Sequence, residues 1–399
     1  MNIICDKNIL NEAVAPAASA VSNKNTNQAL EGVLITANKD EGTLVICGYD
    51  MEKGIQVTVS GEGVEINESG SIIVNAAKFS SIIKNLPDGN VSVTTDAKHN
   101  MHIKINKSEF DMHGLDSAVY PLIPELKGER NFKLPRKTLK NMIASTISAA
   151  AVSGSRPALT GVLFEITDNQ VNVVGCDGNR LSVKRSFDEL RSNEELDIKF
   201  NIPKKSLSEL LKLLNDDETA AEIELTNKHV IISIDNIIYF SRLIESEYLD
   251  YKRVINMNPK TTVVMNTKNF LTSVERAAVL TDDNLKTPVK LSFIKQEANI
   301  ENKENAGILK IDSESSIGKV NDEFDIEMEG ENIVMGFNYR YIYEALKSVK
   351  EEKILINLET PKKSLAILPY DEGKIKNINA ANADNFKFIY LVQPVLLSA

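Results

Sequence analysis

Apolar residues in this chain follow two rhythms, and both recur. Phe79, Ile82, Ile83 and Leu86 stand at i, i+3, i+4 and i+7; so do Leu207, Leu210, Leu211 and Leu214, and again Ile342, Ala345, Leu346 and Val349. That spacing predicts three helices, each burying one face. Each stripe precedes a short β-rich run: VSVTT from Val91, IEL from Ile223 and ILINL from Ile354. Successive stripes lie 128 and 135 residues apart. The second rhythm is a written repeat. ALEGVLI (29–35) and ALTGVLF (158–164) share five of seven residues. Each is followed by an apolar β-branched run ending in Gly-x-Asp, Gly48 to Asp50 and Gly175 to Asp177, which reads as two strands joined by a polar turn. VKLSF (289–293) and GILKID (307–312) form a weaker third copy with no Gly-x-Asp.

A third match closes the units: Leu115 precedes Tyr120 by five residues, as Leu243 precedes Tyr248, at a separation of 128. A unit of this size fits three times into 399 residues. The expected organisation is three α+β domains of one fold, 1–125, 126–256 and 257–399, each with strands on one side and two helices on the other. The joints are expected in the polar, turn-rich stretches 124–131 and 255–261. Pro16 inside the first helical stretch is tolerable near a helix start and otherwise kinks it.

Charge changes the picture. The chain is acidic, with a net charge of −10, which taken alone argues against nucleic acid. Six expected helical stretches (7–24, 74–85, 136–150, 204–214, 267–280 and 339–350) nevertheless sum to +11, leaving −21 for everything else. A basic helical layer and an acidic remainder suit a protein that presents one surface to a polyanion. Lysines dominate and aromatics are few, so the contact expected is with phosphates, independent of sequence and weakened by salt. Candidate contacts are Lys24, Lys78, Lys84, Arg136, Lys137, Lys140, Arg156, Lys204, Lys205, Arg276, Arg340 and Lys347.

Other classes are disfavoured. No apolar run reaches membrane-spanning length, and the start, MNIICDKNILNEA, carries no secretory signal pattern. Three cysteines without CxxC spacing fit a reducing cytoplasm and suggest neither disulfides nor zinc. His99 and His102 form HNMH, but no third ligand is evident, so no metal or cofactor is expected. The phosphate-loop, metalloprotease, nucleophile-elbow and dinucleotide motifs of common enzymes are all missing, so the chain is not expected to be an enzyme.

The three tandem units, the LxGVLF and DGNRL signatures, and the ending YLVQPVLL closely resemble the bacterial DNA polymerase III beta-subunit family of sliding clamps. The strongest segments are 156–181, YLDYKRVI (248–255) and GFNYRYIYEAL (336–346). The resemblance implies three copies of the DNA-clamp unit in a head-to-tail homodimeric ring, sheets outside and paired helices inside, around double-stranded DNA. It implies an interface with Phe110 and Met112 on one side and Val279 and Leu280 on the other. It also implies a peptide pocket for the replicative polymerase, the clamp loader and repair proteins. Its walls would be Leu159, Cys176, Gly178, Asn179, Arg180, Leu181, Leu249, Arg253, Val254, Leu285, Asn338, Tyr341, Ser364, Leu391, Gln393, Pro394, Val395 and Leu396, with Arg180 and Asn338 as polar anchors. The chain departs from the family pattern at Gln393 and Leu396, where methionine and arginine are usual, at Asn179, often histidine, and at Leu249 and Leu285. The other reading is a protein-interaction hub of the same fold that does not encircle DNA.

Overall fold

The structure, a computed structural model, describes all residues except 23–26, 168, 188, 281–287, 298–304, 372–384 and 398–399. One element order is written three times. The first passage is β1 (Asn2–Asp6), α1 (Lys7–Ser19), β2 (Gly32–Asn38), β3 (Thr43–Tyr49), β4 (Lys53–Ser60), β5 (Val64–Glu68), β6 (Gly70–Asn75), α2 (Ala76–Asn85), β7 (Asn90–Thr95), β8 (Asn100–Ile105) and β9 (Ser108–His113). The second is β10 (Arg130–Pro135), α3 (Arg136–Thr146), β11 (Gly161–Thr167), β12 (Gln170–Cys176), β13 (Arg180–Phe187), β14 (Asp197–Pro203), α4 (Lys204–Leu213), β15 (Ala220–Leu225), β16 (His229–Ile234) and β17 (Ile237–Arg242). A one-turn helix, α5 (Tyr251–Val254), leads to the third: β18 (Thr261–Asn266), α6 (Thr267–Ala278), β19 (Val289–Lys295), β20 (Ala306–Ser315), β21 (Gly318–Glu329), β22 (Ile333–Phe337), α7 (Tyr339–Lys347), β23 (Lys353–Leu358), β24 (Leu365–Pro369) and β25 (Phe388–Val392). Among the described residues, β5 is the one strand that the other two passages lack.

Helices start directly where strands stop, and the residue at the switch explains why. Asp6, Asn75, Asn266 and Asn338 each follow or end a strand, and each side chain accepts a hydrogen bond from the first turn of the next helix. The predicted stripes are the buried faces: Phe79 and Ile83, Leu207 and Leu210, and Ile342 with Leu346. Burying each such side chain contributes roughly 1.5–3 kcal/mol. Helix α1 runs through Pro16 to Ser19, short of the expected 24.

The chain divides into two compact units. The first comprises 1–140, 191–194 and 205–243; the second comprises 141–190, 195–204 and 244–399. The first holds a five-stranded sheet, β5-β1-β7-β8-β9, and an eight-stranded sheet, β10-β15-β16-β17-β4-β3-β2-β6. The second holds one twelve-stranded sheet, β14-β11-β12-β13-β25-β24-β23-β18-β21-β20-β19-β22. Its first eight strands copy the eight-stranded sheet in reverse order, so β4–β17 and β13–β25 are equivalent joins between successive repeats.

The repeat extends to single hydrogen bonds. Tyr120 Oη donates to the Cys47 carbonyl and Tyr248 Oη to the Val174 carbonyl, both at 3.2 Å. Leu115 bridges back to Ile73, the Ile244 amide donates to the Asn201 carbonyl, and Val395 bridges to Gly336. In Gly-x-Asp, a Cβ on Gly48 or Gly175 would overlap the carbonyl oxygen of Ala17 or Thr146, so glycine lets the strand touch the end of its helix. The aspartate closes the turn: Asp50 Oδ1 accepts from the Glu52 and Lys53 amides, and Asp177 Oδ1 from the Asn179 and Arg180 amides.

Candidate functional site

Within the second unit, the join β13–β25 stands over an apolar cluster that includes Leu159, Cys176, Leu181, Tyr251 and Leu391, with Tyr248 and Leu249 packed against it. Five of the expected pocket walls, Leu159, Cys176, Leu181, Leu249 and Leu391, thus meet in one place. The turn after β12 supplies Gly178, whose φ of 92° is the left-handed conformation glycine adopts freely, and exposed Asn179. The C-terminal segment runs along the same edge. The Gln393 amide donates to the Asn179 carbonyl and the Val395 amide to the Gly336 carbonyl, both at 2.8 Å. Pro394 is half-buried, while Val395 and Leu396 are exposed, Leu396 at 89%. Arg253 and Val254 are exposed on α5, with Arg253 paired to Asp250 at 2.8 Å. Tyr341 and Ser364 are half-buried, and Leu285 lies outside the described residues.

The two expected polar anchors also hold groups of the chain itself. Arg180 is buried: its Nε meets Asp177 at 3.0 Å, Nη1 meets Glu344 at 2.5 Å, and Nη2 donates to the Ser148 carbonyl at 2.7 Å. Its guanidinium also stacks 4.5 Å over the Tyr341 ring. Arg180 therefore ties the turn, α7 and the end of the helical layer together. Lys53, its counterpart at the first join, makes the same two local contacts, with Asp50 at 2.6 Å and the Ala20 carbonyl at 3.2 Å. Asn338 spends its side-chain oxygen on the Arg340 amide at 3.0 Å, capping α7. Glu344 and Glu165, which complete the polar frame, were missed from sequence. The signal that could have found Glu165 was a carboxylate in an otherwise apolar strand; nothing in the sequence pointed to Glu344.

The basic candidates separate into two groups. Lys78, Lys84, Lys205 and Arg156 are exposed, Lys140 is half-exposed, and none has an ion-pair partner among the described residues. Arg340 and Lys347 are exposed beside Tyr339 and Tyr343 rings. The others are engaged. Arg136 is buried, held by Asp235 through both terminal nitrogens at 2.8 and 2.5 Å. Lys137 pairs with Glu218 at 3.0 Å, Arg276 pairs closely with Asp322, and Lys204 Nζ donates to the carbonyls of Ser148 and Ala150 at 3.3 and 2.6 Å. Arg136 is thus committed to the β16–β17 turn and Lys204 to the carbonyls that follow α3; nothing in the sequence distinguished them from free cations. Lys24 lies outside the described residues.

Phe110 and Met112 sit on β9, an edge strand bonded, among the described residues, only to β8. Phe110 is 38% exposed and Met112 half-buried. Val279, past the end of α6, is 75% exposed, and half-buried Leu280 reaches toward Gly318 at the start of β21. Among the described residues no three histidine, cysteine or acidic side chains gather as a metal site, and no helix is long and apolar enough to cross a membrane.

Repeats that share sheets at their joins, with basic helices alongside, define a protein of the DNA-clamp class. Residues 1–124, 133–250 and 252–381 match the N-terminal, central and C-terminal domains of the DNA polymerase III beta subunit. The chain is 31% identical to the beta sliding clamp of Bacillus subtilis over 386 residues, 95% of this chain and 98% of that one. It is 30% identical to that of Halalkalibacterium halodurans over 381 residues, 94% and 97% of the two chains. The crystal structure of the B. subtilis DNA polymerase sliding clamp matches with a TM-score of 0.89 at 28% identity, covering all of both chains. That of a putative DNA polymerase III beta subunit from Eubacterium rectale gives 0.87 at 29%, covering 99% of each. This chain belongs to the DNA polymerase III beta-subunit family. It is a DNA sliding clamp, a non-catalytic processivity subunit that works with DNA and the polymerase.

Proposed function

We propose that two copies of this chain close head to tail into a ring around duplex DNA. One observation carries the reading. A ring of six repeats needs six joins, and among the described residues each of the two chains makes two, β4–β17 and β13–β25, leaving two to form between chains. Among the described residues, the equivalent edges left over are β9, bonded only to β8, and the Gly318–Phe324 part of β21, bonded only to β20. An unpaired strand edge is a template for another strand, and unlike edges at the two ends give a heterologous contact that forms a closed ring if the rotation closes. Carrying over the register of Tyr239 on Ile55 sets Phe110 against Val320 of a second copy and Asp111 against Lys319. Val279 and Leu280 flank that edge.

The exposed cations Lys78, Lys84, Lys140, Arg156, Lys205, Arg340 and Lys347 then supply the sequence-independent hold on phosphates. The three domains 1–125, 126–256 and 257–399 serve as the ring's repeating units. Polymerase, clamp loader and other replication and repair proteins dock by short peptides on the Leu159–Leu181–Leu391 cluster and the Gln393–Leu396 edge. The setting is the cytoplasm, in keeping with three unpaired, buried cysteines. Sedimentation tests the ring: a mass near twice 44.2 kDa is expected, with Phe110→Asp monomeric at micromolar concentration. Retention on nicked circular DNA, lost on linearisation, distinguishes a clamp from an interaction hub. Peptide docking is tested by titrating a polymerase-derived peptide against Leu181→Asp and a chain ending at Val392; undiminished binding to both would place docking elsewhere.

A further inference from the structure

The second joint carries a buried carboxylate that the other repeats lack. Glu165, on β11, is 2% exposed. Its neighbours on the adjoining strands are Lys199 and Asn172. Lys199 Nζ lies 2.8 Å from Oε1, Asn172 Nδ2 donates to Oε2 at 3.3 Å, and Lys252 Nζ lies 3.6 Å from Oε2. The Tyr251 hydroxyl also donates closely to Oε2. At the matching rungs the first repeat has Ser71, Thr36 and Val45, and the third has Val334, Ser292 and Lys310. The residue matching Tyr251 in the first joint is Ile123, a plain apolar contact. A buried carboxylate is retained only where several partners offset its desolvation.

Two of those partners, Tyr251 and Lys252, are the first two residues of α5, and the last two are Arg253 and Val254. A single helical turn has no stability of its own, so its placement must come from what its side chains hold. Tyr251 combines a ring in the apolar cluster with a hydroxyl on Glu165. We propose that Glu165 is a positioning residue for partner docking: by holding Tyr251 and Lys252 it fixes α5, and so sets where Arg253 and Val254 stand toward a bound peptide. This inference rests on the docking reading above. The repeat comparison supports it independently, because the device occurs only at the joint that bears the docking residues.

The test titrates the same labelled polymerase-derived peptide against Glu165→Gln, Tyr251→Phe and the double variant, with Leu181→Asp alongside. Expected is a Kd raised about tenfold in each single variant, the equivalent of 1.4 kcal/mol. The double variant should rise little further, because both changes weaken the same tie of α5 to Glu165. Ile202→Val, a core truncation in β14, should lower the melting temperature without moving Kd, which separates positioning from general stability. Unchanged Kd in both single variants while Leu181→Asp abolishes binding overturns the positioning role and leaves docking standing. Full binding by Leu181→Asp and by the chain ending at Val392 overturns docking itself, and the inference with it. If Glu165→Gln does not melt cooperatively, Lys252→Ala, whose side chain is half exposed, reads the same arm. Unchanged Kd there also overturns the proposal.

Discussion

Replacing Arg180 by methionine is the sharpest test of how the second join is held. Methionine keeps most of the stem but removes a guanidinium that touches Asp177, Glu344, the Ser148 carbonyl and the Tyr341 ring at once. Asp177 stays behind with its side chain 14% exposed, whereas Glu344, at 38%, can rehydrate. Breaking a buried pair by removing one partner costs about 3–5 kcal/mol, and the half-exposed Glu344 arm must be discounted for solvent screening. The expected loss is therefore about 3 kcal/mol, at the lower end of that range. For a unit of roughly 200 residues this lowers the melting temperature by about 6–12 °C. Thermal unfolding followed by circular dichroism measures it, and a cycle with Glu344→Gln isolates one arm, with expected coupling of about 1 kcal/mol. A shift under about 2 °C, or strict additivity in the cycle, would refute the view that Arg180 ties the join together.

Four further outcomes are expected. Exchanging charges in the proposed ring contact, Asp111→Lys with Lys319→Asp, should restore dimers that either change alone weakens; sedimentation showing no rescue would contradict the carried-over register. Lys78→Ala, Lys84→Ala and Lys205→Ala should each weaken DNA retention for every sequence and reduce the salt slope by about one for each phosphate no longer neutralised. Arg136→Ala should instead lower stability, because its guanidinium is buried on Asp235. Burial raises the thiols of Cys5 and Cys47 from 9.0 to about 11 and about 12. Because the folded values lie above the unfolded ones, this contribution to stability is complete below pH 9 and declines as pH rises toward 11–12. Native protein at pH 8 should therefore react with a thiol reagent far more slowly than urea-unfolded protein, and should melt earlier above pH 9; rapid native labelling would contradict it.

Much of this protein was legible in its sequence because a repeat is a local pattern written several times. The stripes at Phe79, Leu207 and Ile342, the Gly-x-Asp turns, and the Tyr120 and Tyr248 pair gave elements, order and period, since each depends on residues close in the chain. Even the weak third copy, VKLSF with GILKID, forms the expected hairpin, β19 with β20. What charge is free to do was not legible. Arg136, Lys204 and Lys205 are alike as letters, yet the first two are committed to Asp235 and to the Ser148 and Ala150 carbonyls, and only the third faces solvent unpaired among the described residues. Arg180 and Asn338 read as anchors for a ligand; that Arg180 is also a tie was not legible, because its partner Glu344 lies 164 residues away. Glu165 belongs to the same class: its partners come from three other elements, β12, β14 and α5, which must converge before its burial becomes tolerable. Which strands meet across repeats, and which edges stay open, was also decided only by the fold. Sheet edges pair through backbone groups that every residue carries, so no side chain in β9 or β21 announces that its neighbour is missing.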